Sequence, residues 1–105
     1  MEALEALADP TRRRIVELLA DGELAAGAIA AHFDVTRPAV SQHLRVLREH
    51  GMVRVRRDGQ RWLYSLDPEP LVELDAWLDR YRSFWAQRLD ALETQIERAR
   101  QDEEV

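Results

Sequence analysis

Cysteine is absent from the 105 residues, and so is lysine. Without a thiol the chain can form no disulfide, no thiolate nucleophile and no thiolate metal site. All fifteen basic side chains are therefore arginine, the cation best suited to forked contacts with phosphate and guanine. Histidine is scarce, and none follows His50. No apolar run approaches the roughly 18 residues that a membrane span needs, and no secretory pattern opens the chain, so a cytoplasmic location and no membrane partner are expected. A glycine-rich phosphate loop is missing too. Ser41 and His43 sit two apart on one expected helix, about 200° apart around its axis, and cannot act as nucleophile and base. No catalytic residue and no cofactor is assigned, and an enzyme is not expected.

What is present is unevenly distributed charge. The net charge is −5, yet the segment from Thr36 to Arg61 holds seven arginines (Arg37, Arg45, Arg48, Arg54, Arg56, Arg57, Arg61) against only Glu49 and Asp58. The rest of the chain is correspondingly acidic. Because local charge governs approach to a phosphate backbone, a basic segment inside an acidic protein remains a nucleic-acid candidate.

The helix signals are clear. Asp9-Pro10 places a capping aspartate before a proline in the first turn, and Ile15, Leu18 and Leu19 follow on one face, with Gly22 as the stop. Leu4 and Leu7 suggest a short helix before it. A third helix is expected over about 25–32, anchored by Ile29 and Phe33. Asp34-Val35 then turn the chain, Thr36 caps a helix over about 37–50 with Pro38 in its first turn, and Gly51 ends it. Two alternating stretches, 53–57 and 62–66, flank the hairpin signal Asp58-Gly59. From about 70 to 100 runs the longest helix, with Leu71, Leu74, Leu78, Tyr81, Trp85, Leu89, Leu92 and Ile96 at steps of three and four. A single domain over 1–105 is expected: helices and wing in 1–67, a C-terminal dimerisation helix in 68–100, and a charged, frayed tail in 101–105.

Two helices joined by a tight turn and followed by a hairpin make a winged helix-turn-helix, mainly α with a small β-hairpin. A helix fits the major groove of double-stranded DNA, and the second helix of the pair presents its outward side chains to base edges. With Val40, Leu44 and Leu47 turned inward, the outer side carries Pro38, Gln42, Arg45 and Glu49, flanked by Ser41 and Val46. Gln42 suits adenine and Arg45 guanine, while Ser41 can reach a base or a phosphate. Thr36, Arg37 and Arg48 suit phosphates, and His43 lies on the border of this face, where packing or a phosphate contact is open to it. The hairpin tip, Arg56-Arg57-Asp58-Gly59-Gln60-Arg61, forms a basic wing for the backbone or minor groove, with Arg57, Gln60 and Arg61 as its DNA contacts. The competing assignment is a winged helix used only for protein contacts, which would want an apolar or acidic recognition face. Double-stranded RNA is disfavoured because its deep, narrow major groove excludes a helix.

Asp9-Pro10-Thr11-Arg12, Val40-Ser41-Gln42-His43-Leu44 with Leu47, Gly51-Met52-Val53, Arg57-Asp58-Gly59 and Tyr64-Ser65-Leu66 together resemble the ArsR/SmtB family of winged-helix repressors. The likeness runs from about Leu4 to Leu89. It implies a homodimeric transcription repressor on a palindromic operator, often its own, released by an inducer whose identity the sequence does not give. It also implies an interface built from the terminal helices, here Leu4, Leu7, Leu74, Trp77, Leu78, Tyr81, Phe84, Trp85, Leu89 and Leu92. The sequence departs from the metal-sensing members: their cysteine pair is missing, and the long helix offers only Asp75 and Asp79 at an i,i+4 spacing, beside Arg80 and Arg82. Carboxylates alone are poor ligands for zinc-like ions, so no metal ligand is assigned there, nor to His32 or His43. The aromatic group Trp77, Tyr81, Phe84 and Trp85 fits a core or dimer seam, the alternative being a pocket for an apolar effector.

Overall fold

A computed structural model describes residues 1–103. By their internal contacts they form two compact units, Met1–Leu74 and the segment from Asp75 onward. The first holds α1 (Glu2–Ala6), α2 (Pro10–Leu19), β1 (Leu24–Ala25), α3 (Ala26–Ala30), α4 (Arg37–Glu49), β2 (Val53–Asp58) and β3 (Arg61–Leu66). The long helix α5 (Glu69–Glu103) begins in it and supplies every described residue of the second.

Helix α2 starts where its sequence says it should. The Asp9 carboxylate accepts the Arg12 backbone N–H at 3.0 Å, and Pro10 occupies the first turn, where a missing N–H costs nothing. The same turn closes α1: Arg12 Nε donates to the Ala6 carbonyl at 2.7 Å and Arg13 Nη1 to Leu7 at 3.2 Å. These guanidinium groups satisfy carbonyls that a five-residue helix leaves open. The buried face of α1 is Ala3 and Ala6, with Leu4 exposed and Leu7 packed at the edge of the core. Asp9→Ala should therefore cost about 1 kcal/mol of stability (about 0.5–2), read as a lower thermal midpoint.

Its pH dependence follows from the same contacts. Partial burial works to raise the Asp9 pKa, but the Arg12 N–H, nearby His43 and the Thr11 N–H outweigh it and leave the carboxyl below its ordinary value. A depressed carboxylate stabilises the fold above its unfolded pKa and loses that contribution as pH falls through the folded one. Acid titration of the wild type should show this loss below about pH 4, and Asp9→Ala should lack that part of it.

The core of the first unit gathers Ala3, Ala6, Ile15, Val16, Leu19, Ile29, Val40, Leu44, Leu47, Met52 and Val53, with Leu24, Phe33, Tyr64, Leu66, Leu71 and Leu74 packed around it. The hairpin is wider than the alternating stretches suggest, and it belongs to a three-stranded antiparallel sheet in the order β1-β3-β2. The added strand pairs Leu24 with Tyr64 and Ala25 with Leu63, which takes Ala25 from the expected third helix; α3 itself spans Ala26–Ala30 and ends short of residues 31 and 32. Asp58 pairs with Arg61, so the turn residues are Gly59 and Gln60. Only Gly59 has positive φ, at 63°, the φ pattern of a type II′ turn, which wants glycine at its first position. Helix α5 continues through Gln101, Asp102 and Glu103, where a frayed tail was expected; the expectation for residues 104 and 105 lies outside the described residues. No helix among the described residues is long and apolar enough to cross a membrane.

Candidate nucleic-acid interface

Thr36 Oγ1 accepts the Ala39 N–H at 3.2 Å, starting α4 with the extended backbone of a helix cap. Val40, Leu44 and Leu47 lock one side of the helix into the core. The opposite side is left to solvent: Thr36, Arg37, Pro38, Ser41, Gln42, Arg45 and Arg48 are all exposed. His43 is half-buried, with Nδ1 3.7 Å from Asp9 Oδ2, so it faces the start of α2 more than the outer surface.

Ion pairing redistributes the basic segment. Arg56 makes a forked pair with Glu23, Nε at 2.9 Å and Nη2 at 2.7 Å, and that contact raises the arginine pKa and lowers the glutamate's. Arg54 Nε donates to Asp67 Oδ2 at 3.3 Å, while the Glu69 N–H, donating to Oδ1 at 3.0 Å, does most to hold that carboxyl below its ordinary range. Arg61 pairs with Asp58 at 3.0 Å, and Arg45 reaches Glu49 at 3.7 Å. Among the described residues, Arg37, Arg48 and Arg57 are the members of the segment without a carboxylate partner. The neutralising Glu23 and Asp67 come from outside the segment, so counting charge along the chain overstates its free positive charge.

Arg57 is instead oriented by its neighbours in the wing. Its Nε donates to the Gly59 carbonyl at 3.0 Å, and its guanidinium lies 5.3 Å from the ring centroid of Trp62, its cross-strand partner. Trp62, 49% exposed, is the wing residue that sequence reasoning passed over. A basic residue next to it in the strand pairing was the available signal. Together with Gln60, Arg61, Arg37 and the Ala25–Gly27 segment it lines a cleft of about 310 Å³, so the wing and the start of α4 share one basic hollow. Pairs that are exposed like these contribute little stability, and a phosphate can displace their carboxylates.

In the second unit every described side chain is exposed. Trp77, Leu78, Tyr81, Phe84, Trp85, Leu89, Leu92 and Ile96 are the large apolar ones. Hollows beside Leu78, Tyr81, Trp85 and Leu89 are lined by this single helix. Arg82 binds both acids weighed as metal ligands, Asp75 at 2.8 Å and Asp79 at 3.2 Å, and the Asp75 hydrogen bond raises its pKa. An arginine is thus the cation those carboxylates hold.

The fold is shared with known proteins. A helix-turn-helix domain family matches residues 7–56. A solved structure of an ArsR family transcriptional regulator is 29% identical, with a TM-score of 0.74 over 81% of this chain and 93% of that one. The transcriptional repressor SdpR of Bacillus subtilis is 39% identical over 70% of this chain and 82% of its own length. The HTH-type transcriptional regulator Rv2034 of Mycobacterium tuberculosis is 52% identical over 87 residues, 83% of this chain and 78% of that protein. The chain belongs to the ArsR/SmtB family. It is a DNA-binding transcription regulator, and this is a family of regulators rather than of enzymes. Within the ArsR/SmtB plan α3 and α4 form the helix-turn-helix and β2–β3 the wing, as the motif order implied.

Proposed function

We propose that the chain is a cytoplasmic, homodimeric repressor that reads a palindromic operator with α4 and grips the flanking backbone with its wing. What carries the proposal is the division of α4 between a buried Val40–Leu44–Leu47 side and an exposed side bearing Ser41, Gln42 and Arg45. These three reach base edges; Thr36, Arg37, Pro38 and Arg48 border the phosphates, and Arg57, Gln60 and Arg61 approach the backbone or minor groove. His43 acts mainly by packing against the start of α2. Dimerisation joins the apolar faces of two α5 helices, with Leu4 of α1 as a further exposed contributor, and sets two reading helices about 34 Å apart. An inducer that acts through thiolate ligands is not open to this chain, which has no cysteine. The exposed aromatic face serves as the dimer seam in this proposal, and any inducer binds elsewhere or across that seam.

The test begins with footprinting on the DNA upstream of the chain's own coding sequence. Arg45→Ala should then weaken operator binding by ~1–3 kcal/mol and relax preference at one base pair per half-site. Arg57→Ala should weaken operator and scrambled DNA alike and lower the salt slope by about one phosphate per subunit. Normal operator binding by Arg45→Ala, with lost sequence preference in Arg57→Ala, would move the reading element from α4 to the wing.

A further inference from the structure

The fold brings together three ligating side chains that lie far apart in sequence. Glu2 and Glu5 stand one turn apart on α1, and His50 caps the C-terminal end of α4. One donor atom from each lies within 4.8 Å of the other two. His50 Nδ1 contacts Glu2 Oε2 and lies 3.6 Å from Glu5 Oε2. Two donors of a tetrahedral zinc ion, each about 2.1 Å from it, are about 3.4 Å apart, so this spacing admits an ion after small side-chain rotations. The imidazole is only 25% exposed, which limits its freedom to turn away.

Charge gives the second reason. Among the described residues no arginine pairs with either glutamate; their partner is His50 alone. Elsewhere in the first unit Arg12 and Arg13 are spent on backbone carbonyls, and the nearby α4 terminus adds its own negative dipole end. Apart from the imidazole, two carboxylates and a helix C-terminus face one another with no basic side chain between them among the described residues. The contrast with Asp75 and Asp79, both bound by Arg82, is direct.

We propose that Glu2, Glu5 and His50 bind one divalent transition-metal ion of the zinc class, with water completing the coordination. An imidazole and two carboxylates suit this borderline class, and an ion here would tie α1 to the end of the reading helix. The site needs no thiolate and none of the residues assigned to DNA, and it holds whether or not α4 reads DNA as proposed.

The full-length chain, stripped of metal at pH 7.5, is titrated with ZnCl2 by calorimetry, and its thermal midpoint is read with and without the ion. The wild type should bind one Zn2+ per chain at micromolar affinity, and 100 µM Zn2+ should raise the midpoint by roughly 10 °C or more. Glu2→Gln, at an exposed position, and Glu5→Gln should each lose at least tenfold in affinity, and His50→Gln should lose the midpoint shift. Cobalt gives an independent readout, since visible absorption bands of tetrahedral Co2+ should appear with the wild type and vanish with His50→Gln. No uptake by the wild type would reduce the cluster to a histidine–carboxylate ion pair and overturn the proposal. Equal uptake by the three variants would overturn it too, by placing the ion elsewhere.

Discussion

Glutamate at both Leu78 and Trp85 should turn a dimer of twice the 12.2 kDa chain mass into a monomer. Both side chains lie exposed on α5, 42% and 45%, on the stripe that runs through Tyr81 and Leu89. The 35-residue helix rises about 52 Å, and no described residue of its second unit is buried within the chain. An apolar face of that extent marks an interaction site, and a two-fold interface buries each substituted position twice. An unpaired charge buried in such a seam costs about 3–5 kcal/mol, so four of them should raise the dimer dissociation constant by at least about a thousandfold. Operator affinity should fall with it, because a lone subunit can engage only one half-site. The first unit keeps all of its buried side chains in the double variant, so its helical signal and its weak binding to any DNA should survive. Sedimentation at micromolar concentration reads the result, and a variant that still sediments as a dimer would remove α5 from the interface.

Leu47→Ala should have the largest effect on stability. Leu47 has no exposed surface, lies on the inner side of α4, and shares its cluster with Ile15, Ile29 and Met52. Truncating a leucine at such a site costs about 2–5 kcal/mol, transfer and cavity together. A domain of this size holds only about 5–15 kcal/mol in all, so the thermal midpoint should drop by roughly 10 °C or more. Arg48→Ala, the next residue but exposed, should move it little and instead weaken DNA binding through a lost phosphate contact. A melting shift of a degree or two for Leu47→Ala would mean that α4 is not anchored as its buried side implies.

How much of this was legible in the sequence depends on the range of the forces involved. Asp9-Pro10, Thr36 and Gly51 act within a turn of themselves. Each stands where expected, with Gly51 at φ 71° just past α4, a conformation that glycine adopts without strain. The inner stripe of α4 was readable for the same reason, since helical period is a local property. Strand β1 was not, because two residues carry no alternation and owe their shape to Tyr64 and Leu63 across the sheet. On α1 the leucines carry the sequence signal, but the small Ala3 and Ala6 are the residues that are buried. The pairs of Arg56 with Glu23 and Arg54 with Asp67 join residues 33 and 13 positions apart, and Glu2 meets His50 across 48. Such meetings are set by packing, which is why the charge of the basic segment and the cluster at the end of α4 emerge only once the chain is folded.

The central claim, that the exposed side of α4 reads base sequence, is met most directly by titrating the wild-type protein on its footprinted upstream duplex and on a scrambled duplex of equal length and composition, at several salt concentrations. At physiological salt the operator should bind at least about a thousandfold more tightly, while affinity for both duplexes falls steeply as salt rises. Equal affinity for the two at every salt concentration would contradict it, leaving a basic surface that holds DNA without reading it.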